Sequence, residues 1–430
     1  MKLCGLIPFI VLLNLCVLCP PSAVGCYGGR AISAVNHSFF CGELLKFIDN
    51  LDTGLLPILF TVLLLAFGMS FVAPLIPLII RDTGASAATI GQIASVYFLS
   101  FTLFTPLMGK FVDKLGSKKI ILSGLFIYAL CVFAMIFANS AWYFYLIRIF
   151  QGVGTACLFA PTESAINVLS TPECRSSNMG LYGVVFAVGF ALGPGVGTYL
   201  FAYNHAVPFI FGTAFSLAGL LVMLRYYIDV PIPIKTTDIR LREFLNILRV
   251  PLLAGLCYAV VEASIGSFLS LYLDNLGFKG ASLGMAFTVF AVGGIVSPFP
   301  AGKAADRFGK LPSLYVLGAV LCVTTFSFTI TSNYLLILFL CFSVGVVAGG
   351  LYPIALALIG DLIPPQQMGT ANSTFSFLYG VGSVAGPVCT GWVARLCGMN
   401  YLFYPMTAAS LLFVFITIME AKNSRAPREI

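Results

Sequence analysis

"GKFVDKLGSKK" (109–119) and "GKAADRFGK" (302–310) are two charged islands in a chain of 430 residues that is 59% hydrophobic and only 9% charged. Sliding the chain against itself by 193 residues superposes them. Gly109 meets Gly302, Lys110 meets Lys303, Asp113 meets Asp306 and Gly116 meets Gly309. The same shift carries Pro172 onto Pro365, Gly189 onto Gly382, and the Gly-Pro pair at 193–194 onto the pair at 386–387. A chance match of one short motif would not bring that later pair into register. The chain therefore reads as two homologous halves, 55–228 and 250–419, joined by a linker at 229–249 and followed by a tail at 420–430.

Composition places both halves in a membrane. Soluble domains carry about 25% charged residues, far above this chain, whose mean hydropathy is +1.01. Stretches such as "LLPILFTVLLLAFGMSFVAPLIPLII" (55–80) are longer than the ~18 apolar residues that cross a bilayer as helix. Only helices and closed barrels satisfy their backbone in lipid, and runs without alternation exclude the barrel. Twelve helical spans are expected at about 55–80, 90–108, 120–138, 142–167, 178–202, 207–228, 250–273, 282–300, 311–331, 334–358, 368–394 and 400–419. Alternate loops hold Lys110, Lys114, Lys118, Lys119, Arg175, Arg225, Lys235, Arg240, Arg242, Arg249, Lys303, Arg307 and Lys310. The opposite loops hold Arg81, Lys279 and Arg395, so the basic side is expected in the cytoplasm. The formal charge of +7 is thus a topology signal, and no nucleic-acid partner is expected.

An even number of spans per half makes the repeats parallel, an architecture of transporters that hold substrate between rocking halves. Four motifs then agree in order. The two islands are similar to a cytoplasmic signature between spans two and three and to its copy in the second half. "RIFQGVG" (148–154), with Arg148 and Gln151, matches a pattern of span four. "GLYGVVFAVGFALGPGVG" (180–197) matches a glycine-rich pattern of span five in proton-linked exporters. On these motifs the chain resembles the major facilitator superfamily, in particular its bacterial drug-efflux members. The resemblance implies an all-α fold of twelve transmembrane helices in two six-helix repeats. It also implies a cavity lined by spans one, four, seven and ten, and a cytoplasmic latch at Gly109, Asp113, Gly116 and Lys118 with Gly302, Asp306, Arg307 and Gly309. An acidic residue of the family at the end of span four is missing in the first half, while Asp361 supplies its counterpart in the second.

Local chemistry adds to this. Gly109 and Gly116 are expected to permit a tight turn. Asp113 is expected to accept hydrogen bonds at a helix N-terminus, and Lys114, Lys118 and Lys119 to meet lipid headgroups. Gly189, Gly193 and Gly197 line one helix face and admit a close neighbour. Pro194 is expected to bend its span, and Gly386 and Pro387 repeat the pattern. An ionisable group at a helix centre costs ~2.5–3.5 kcal/mol on insertion scales, so each needs a reason. Three occur within spans: Arg148, Glu163 and Glu262. Glu262 lies about 18 Å in from the Arg249 end at helical rise, and its repeat counterpart is Met69. It is a candidate for proton coupling or cation binding, with a structural hydrogen bond the alternative. The resemblance implies that Arg148 acts in proton transfer through a nearby carboxyl. Glu163, like Gln151, is a candidate for proton coupling or substrate contact, with pairing to loop cations the other reading for Glu163, and Tyr258 and Tyr352 are expected to face either the cavity or the packed interior.

No phosphate-binding loop or metal cluster is present, so no cofactor, metal or enzymatic chemistry is expected. The thirteen cysteines are mostly single and apolar in setting. The first 54 residues begin with a signal-like apolar run holding "CVLC" (Cys16 to Cys19), and "NHS" at 36–38 fits a glycosylation acceptor. A retained helix, a membrane-surface segment and an extension absent from the mature protein all remain open for that region. The expected protein is a monomeric exporter in a bacterial inner membrane. It takes small apolar or cationic molecules, protons and the lipid bilayer as its partners. A proton-coupled importer or facilitator of a metabolite is the alternative, and a non-transporting sensor or scaffold a third reading.

Overall fold

A computed structural model describes residues 54–169, 175–228, 247–363 and 368–423. The N-terminal apolar run with Cys16 and Cys19, the "NHS" motif, most of the linker and the end of the tail lie outside the described residues. Eleven helices among the described residues are long and apolar enough to cross a bilayer, and a twelfth span is a pair of helices bent by 45°. Span one runs Leu55–Val72 and, after a break at Pro74, Ile76–Asp82. Spans two to six are Ala87–Leu115, Ser117–Ala134, Ala141–Leu169, Arg175–Tyr203 and Val207–Tyr226. Span seven is Arg249–Asn275, and span eight is Ala281–Val296 bent into Pro298–Phe308, where prolines interrupt the hydrogen-bond ladder. Spans nine to twelve are Lys310–Ser327, Tyr334–Leu362, Met368–Cys397 and Tyr404–Asn423. Large apolar side chains such as Leu103, Phe126, Leu221, Val323 and Phe415 are exposed around the outside, where lipid replaces water as solvent.

The charged islands are helical, not loops. Gly109 lies inside Ala87–Leu115 and Gly302 inside Pro298–Phe308. The chain reverses only at Gly116 (φ 83°) and at its repeat counterpart Gly309 (φ 95°). The expectation that Gly109 shares the turn is thus corrected. At the other end Gly84 (φ 82°) and Gly277 (φ 90°), again repeat counterparts, follow spans one and seven. A left-handed conformation costs other residues about 1–2 kcal/mol. Gly116→Ala and Gly309→Ala are expected to lower the unfolding midpoint in detergent, whereas Gly302→Ala should leave it equal or higher. A Cβ at Gly302 meets nothing within 4 Å, and alanine is the better helix former by about 1 kcal/mol.

The glycine face of span five does admit a close neighbour. A Cβ at Gly189 would fall 2.8 Å from the Leu63 carbonyl oxygen, and one at Gly193 2.8 Å from Ser70 Cβ. One at Gly197 would fall 2.9 Å from Phe71 Cα. Span eleven repeats this against span seven: Cβ atoms at Gly382 and Gly386 would lie 2.5 and 2.6 Å from the carbonyl oxygens of Leu256 and Val260.

Between the halves, spans two and eleven pack together, as do spans five and eight. The same chemistry appears twice, at repeat-related positions. Gly91 of span two lies against Pro387, and Gly284 of span eight against Pro194. Ser95 Oγ donates to the Val384 carbonyl at 2.7 Å, and Thr288 Oγ1 to the Ala191 carbonyl at 3.0 Å. Arg81 pairs with Asp274, its own counterpart in the other half. These contacts gather in the part of the molecule away from the basic loops.

Candidate functional site

Glu262 sits halfway along span seven, and its Oε2 accepts a hydrogen bond from Tyr379 Oη of span eleven at 2.6 Å. Tyr258 lies one turn earlier on span seven, its ring beside that of Tyr379. The rings of Tyr258, Tyr352 and Tyr379 form a cluster, with centroids 5.6 Å apart for Tyr258 and Tyr352, 5.9 Å for Tyr258 and Tyr379, and 6.0 Å for Tyr352 and Tyr379. A void of about 10 Å³, the size of one water, adjoins Glu262, Tyr258 and Phe290.

Tyr352 of span ten joins this cluster to the first half. It lies within electrostatic range of both Glu262 and Glu163 of span four. Tyr182 of span five lies within the same electrostatic range of Glu163. Among the described residues no ion pair includes Glu163, and the side chains of Lys110, Lys114, Arg175, Lys235, Arg240 and Arg242 lie outside the described residues. Arg148 is placed apart from both carboxyls. Its guanidinium lies 4.6 Å from the centre of the Tyr97 ring, and its Nη1 donates to Gln151 Oε1 at 2.9 Å. Tyr128 and Cys131 complete the titratable groups around it, and none is a carboxyl. Among the described residues no carboxyl is found beside Arg148.

The repeat makes the interior lopsided. Glu262, Tyr258, Tyr352 and Tyr379 correspond to Met69, Leu65, Phe159 and Phe186 of the first half. Phe159 and Phe186 form an apolar wall with ring centroids 5.4 Å apart, extended by Phe101 and Phe190. One half thus offers aromatic hydrocarbon where the other offers hydroxyls and a carboxyl. Tyr379, Tyr182 and Tyr97 were not singled out in the sequence. The repeat shift held a signal for Tyr379, because it replaces a phenylalanine one turn before the glycine face.

At the basic end Lys310 Nζ donates to Asp361 at 2.5 Å, so the acidic residue of span ten holds the start of span nine. Lys118 does not reach for headgroups. Its Nζ donates to the carbonyls of Leu224 at 3.1 Å and Tyr227 at 2.6 Å, at the end of span six where cations are favoured. Asp306 and Arg307 are exposed, the latter 5.4 Å from the Phe308 ring. The side chains of Lys110, Asp113 and Lys114 lie outside the described residues.

The sequence pattern of the Major Facilitator Superfamily matches residues 58–279 and, a second time, 251–429. The chain belongs to the Major Facilitator Superfamily. Among relatives in the superfamily, the uncharacterized MFS-type transporter YfkF of Bacillus subtilis is 27% identical over 370 residues, covering 84% of this chain and 94% of its own length. Among solved structures the chain is similar to the nucleoside transporter NupG, with a TM-score of 0.71 at 13% identity over 86% of this chain and 99% of that one. It is similar also to the human organic anion transporter MFSD10, with a TM-score of 0.62 at 17% identity over 85% and 99%. At such identities the likeness is one of fold. As a member of the Major Facilitator Superfamily, the protein is a multi-pass membrane protein of the secondary-transport type.

Proposed function

We propose that the protein is a proton-driven exporter of small, largely apolar molecules in a bacterial inner membrane, working by alternating access of its two halves. The basic loops face the cytoplasm by the positive-inside rule, and the paired contacts at the other end close the outer side. Direction rests on the likeness of span five to proton-linked exporters. The carrying observation is Glu262, a carboxyl halfway along a membrane span, held by the hydroxyl of Tyr379 beside the ring of Tyr258. Such groups mark proton relays in transporters. Tyr352, within range of both Glu262 and Glu163, gives the two halves a common electrostatic point. Glu262 is engaged by Tyr379, which favours proton exchange over direct capture of a cationic substrate.

Liposomes holding the protein and a trapped pH dye test the reading. Under an imposed gradient, a panel of drugs, lipophilic ions and metabolites should include compounds that drive proton movement in wild type and not in Glu262→Gln. Labelled compound that crosses without any proton signal would make the protein a facilitator and end the coupling claim.

A further inference from the structure

We propose that Arg148 is a substrate-binding residue: it holds a carboxylate, or an equivalent single negative charge, on an otherwise apolar molecule at the junction of the two halves. The proposal rests on the transport reading above and is independent of coupling through Glu262.

The first observation is a charge without a counter-ion. A guanidinium inside a membrane span is costly unless it is paired. Ion pairs among the described residues join Arg81 to Asp82 and Asp274, Arg249 to Glu420, and Lys310 to Asp361. Arg148 is in none of them. The Tyr97 ring and Gln151 Oε1 solvate part of it, while its buried Nε has no partner. A guanidinium presents its donors as a fork that matches a carboxylate.

The second observation is a space beside it. A cavity of about 20 Å³, enough for one water-sized occupant, is lined by Arg148, by Ile76, Ile80 and Ile90 of the first half, and by Gly266 and Ser267 of the second. A Cβ built on Gly266 would meet no atom within 4 Å. The walls are apolar apart from Arg148 and Ser267, and with the halves closed the space admits part of an acidic head only, so the hydrocarbon body of a ligand enters as the halves part. The occupant touches both halves, so its arrival and release are felt by the element that must move. Gly266 lies one helical turn beyond Glu262, on the same face of span seven. A bound anion and the Glu262 carboxyl therefore share one helix face, close enough for the charge of one to bear on the other.

Benzoate and its neutral analogue benzamide are the probes, with radiolabelled binding to the full chain in lipid nanodiscs as the readout. Wild type should retain benzoate and not benzamide. Arg148→Gln should weaken benzoate by at least about tenfold, the value of a lost charge-assisted hydrogen bond, and Arg148→Lys should recover part of the loss. Gly266→Leu fills the cavity and leaves the charge in place, so it should abolish retention even if Arg148→Gln fails to fold. Benzoate that wild type ignores, or that Arg148→Gln and Gly266→Leu bind as wild type does, overturns the proposal. Proton movement in wild type without benzoate binding would sink this subsite alone. Arg148-dependent benzoate binding without proton movement would sink the coupling reading alone.

Discussion

Glu262→Gln is expected to reduce substrate-driven proton movement by at least about 100-fold, the low end of what a positioned proton-transfer group contributes. The amide keeps the size of the carboxyl, and its oxygen can still accept from Tyr379 Oη, which stands 2.6 Å from the present Oε2. The fold should therefore survive, with an unfolding midpoint close to wild type. What is lost is the ability to take up and release a proton. Initial rates of dye response in proteoliposomes, divided by the amount of folded protein, measure the effect.

Tyr379→Phe gives the complementary result. It removes one donor to the carboxyl and leaves the packing of the ring. A charge-assisted hydrogen bond of ~1.5–3 kcal/mol sets the expected loss at about tenfold or more, smaller than that of Glu262→Gln. Proton movement that persists in Glu262→Gln would move the coupling to Glu163, which shares Tyr352 with it. The double variant Glu163→Gln with Glu262→Gln would then be the silent one.

Much of the architecture is legible in the sequence, because a membrane leaves few choices. Length and hydropathy set the spans, lysine and arginine set the ends, and a constant shift of register exposes the two halves. The lone charges Arg148, Glu163 and Glu262 stand out for the same reason. Their partners do not. Tyr379 reaches Glu262 from a span more than a hundred residues away, and nothing in the periodicity of span eleven distinguishes a tyrosine that faces a carboxyl from one that faces lipid. That no described carboxyl stands beside Arg148 is equally invisible, since it is a property of the other spans around it. The islands misled in another way. Glycine, lysine and aspartate read as loop, yet the helix before each island extends through its first glycine, and only Gly116 and Gly309 carry the positive φ of a turn. The contacts between halves were available from the same register shift that revealed the repeat. Gly91 maps onto Gly284 and Ser95 onto Thr288, but only packing shows that each pair faces the other half.

Gly91→Leu and Gly284→Leu are expected to hold the outer side of the transporter open. In the closed arrangement each glycine meets the backbone of the opposite half, Gly91 at Pro387 and Gly284 at Pro194. A leucine at either place has no room unless the halves part. Overpacking of this kind costs ~1–3 kcal/mol, and it falls on the closed arrangement alone, because parted halves leave the side chain free. The population should then shift toward outward-open by about 5- to 150-fold. The ion pair at the same end is the weaker fastening. Arg81 and Asp274 are 42% and 21% exposed, and a pair so open to solvent is worth ~0–1 kcal/mol, less than about fivefold. Arg81→Asp should therefore open the outer side only slightly, and adding Asp274→Arg should restore it. Spin labels at exposed Asn139→Cys and Lys279→Cys, in opposite halves at the outer end, report the separation once the native cysteines, exposed Cys389 and Cys397 among them, are replaced. A longer distance in the leucine variants, with a small reversible change in the charge variants, is the expected order. The reverse order would mean that charge, not the fit of backbone against glycine, decides which way the transporter faces.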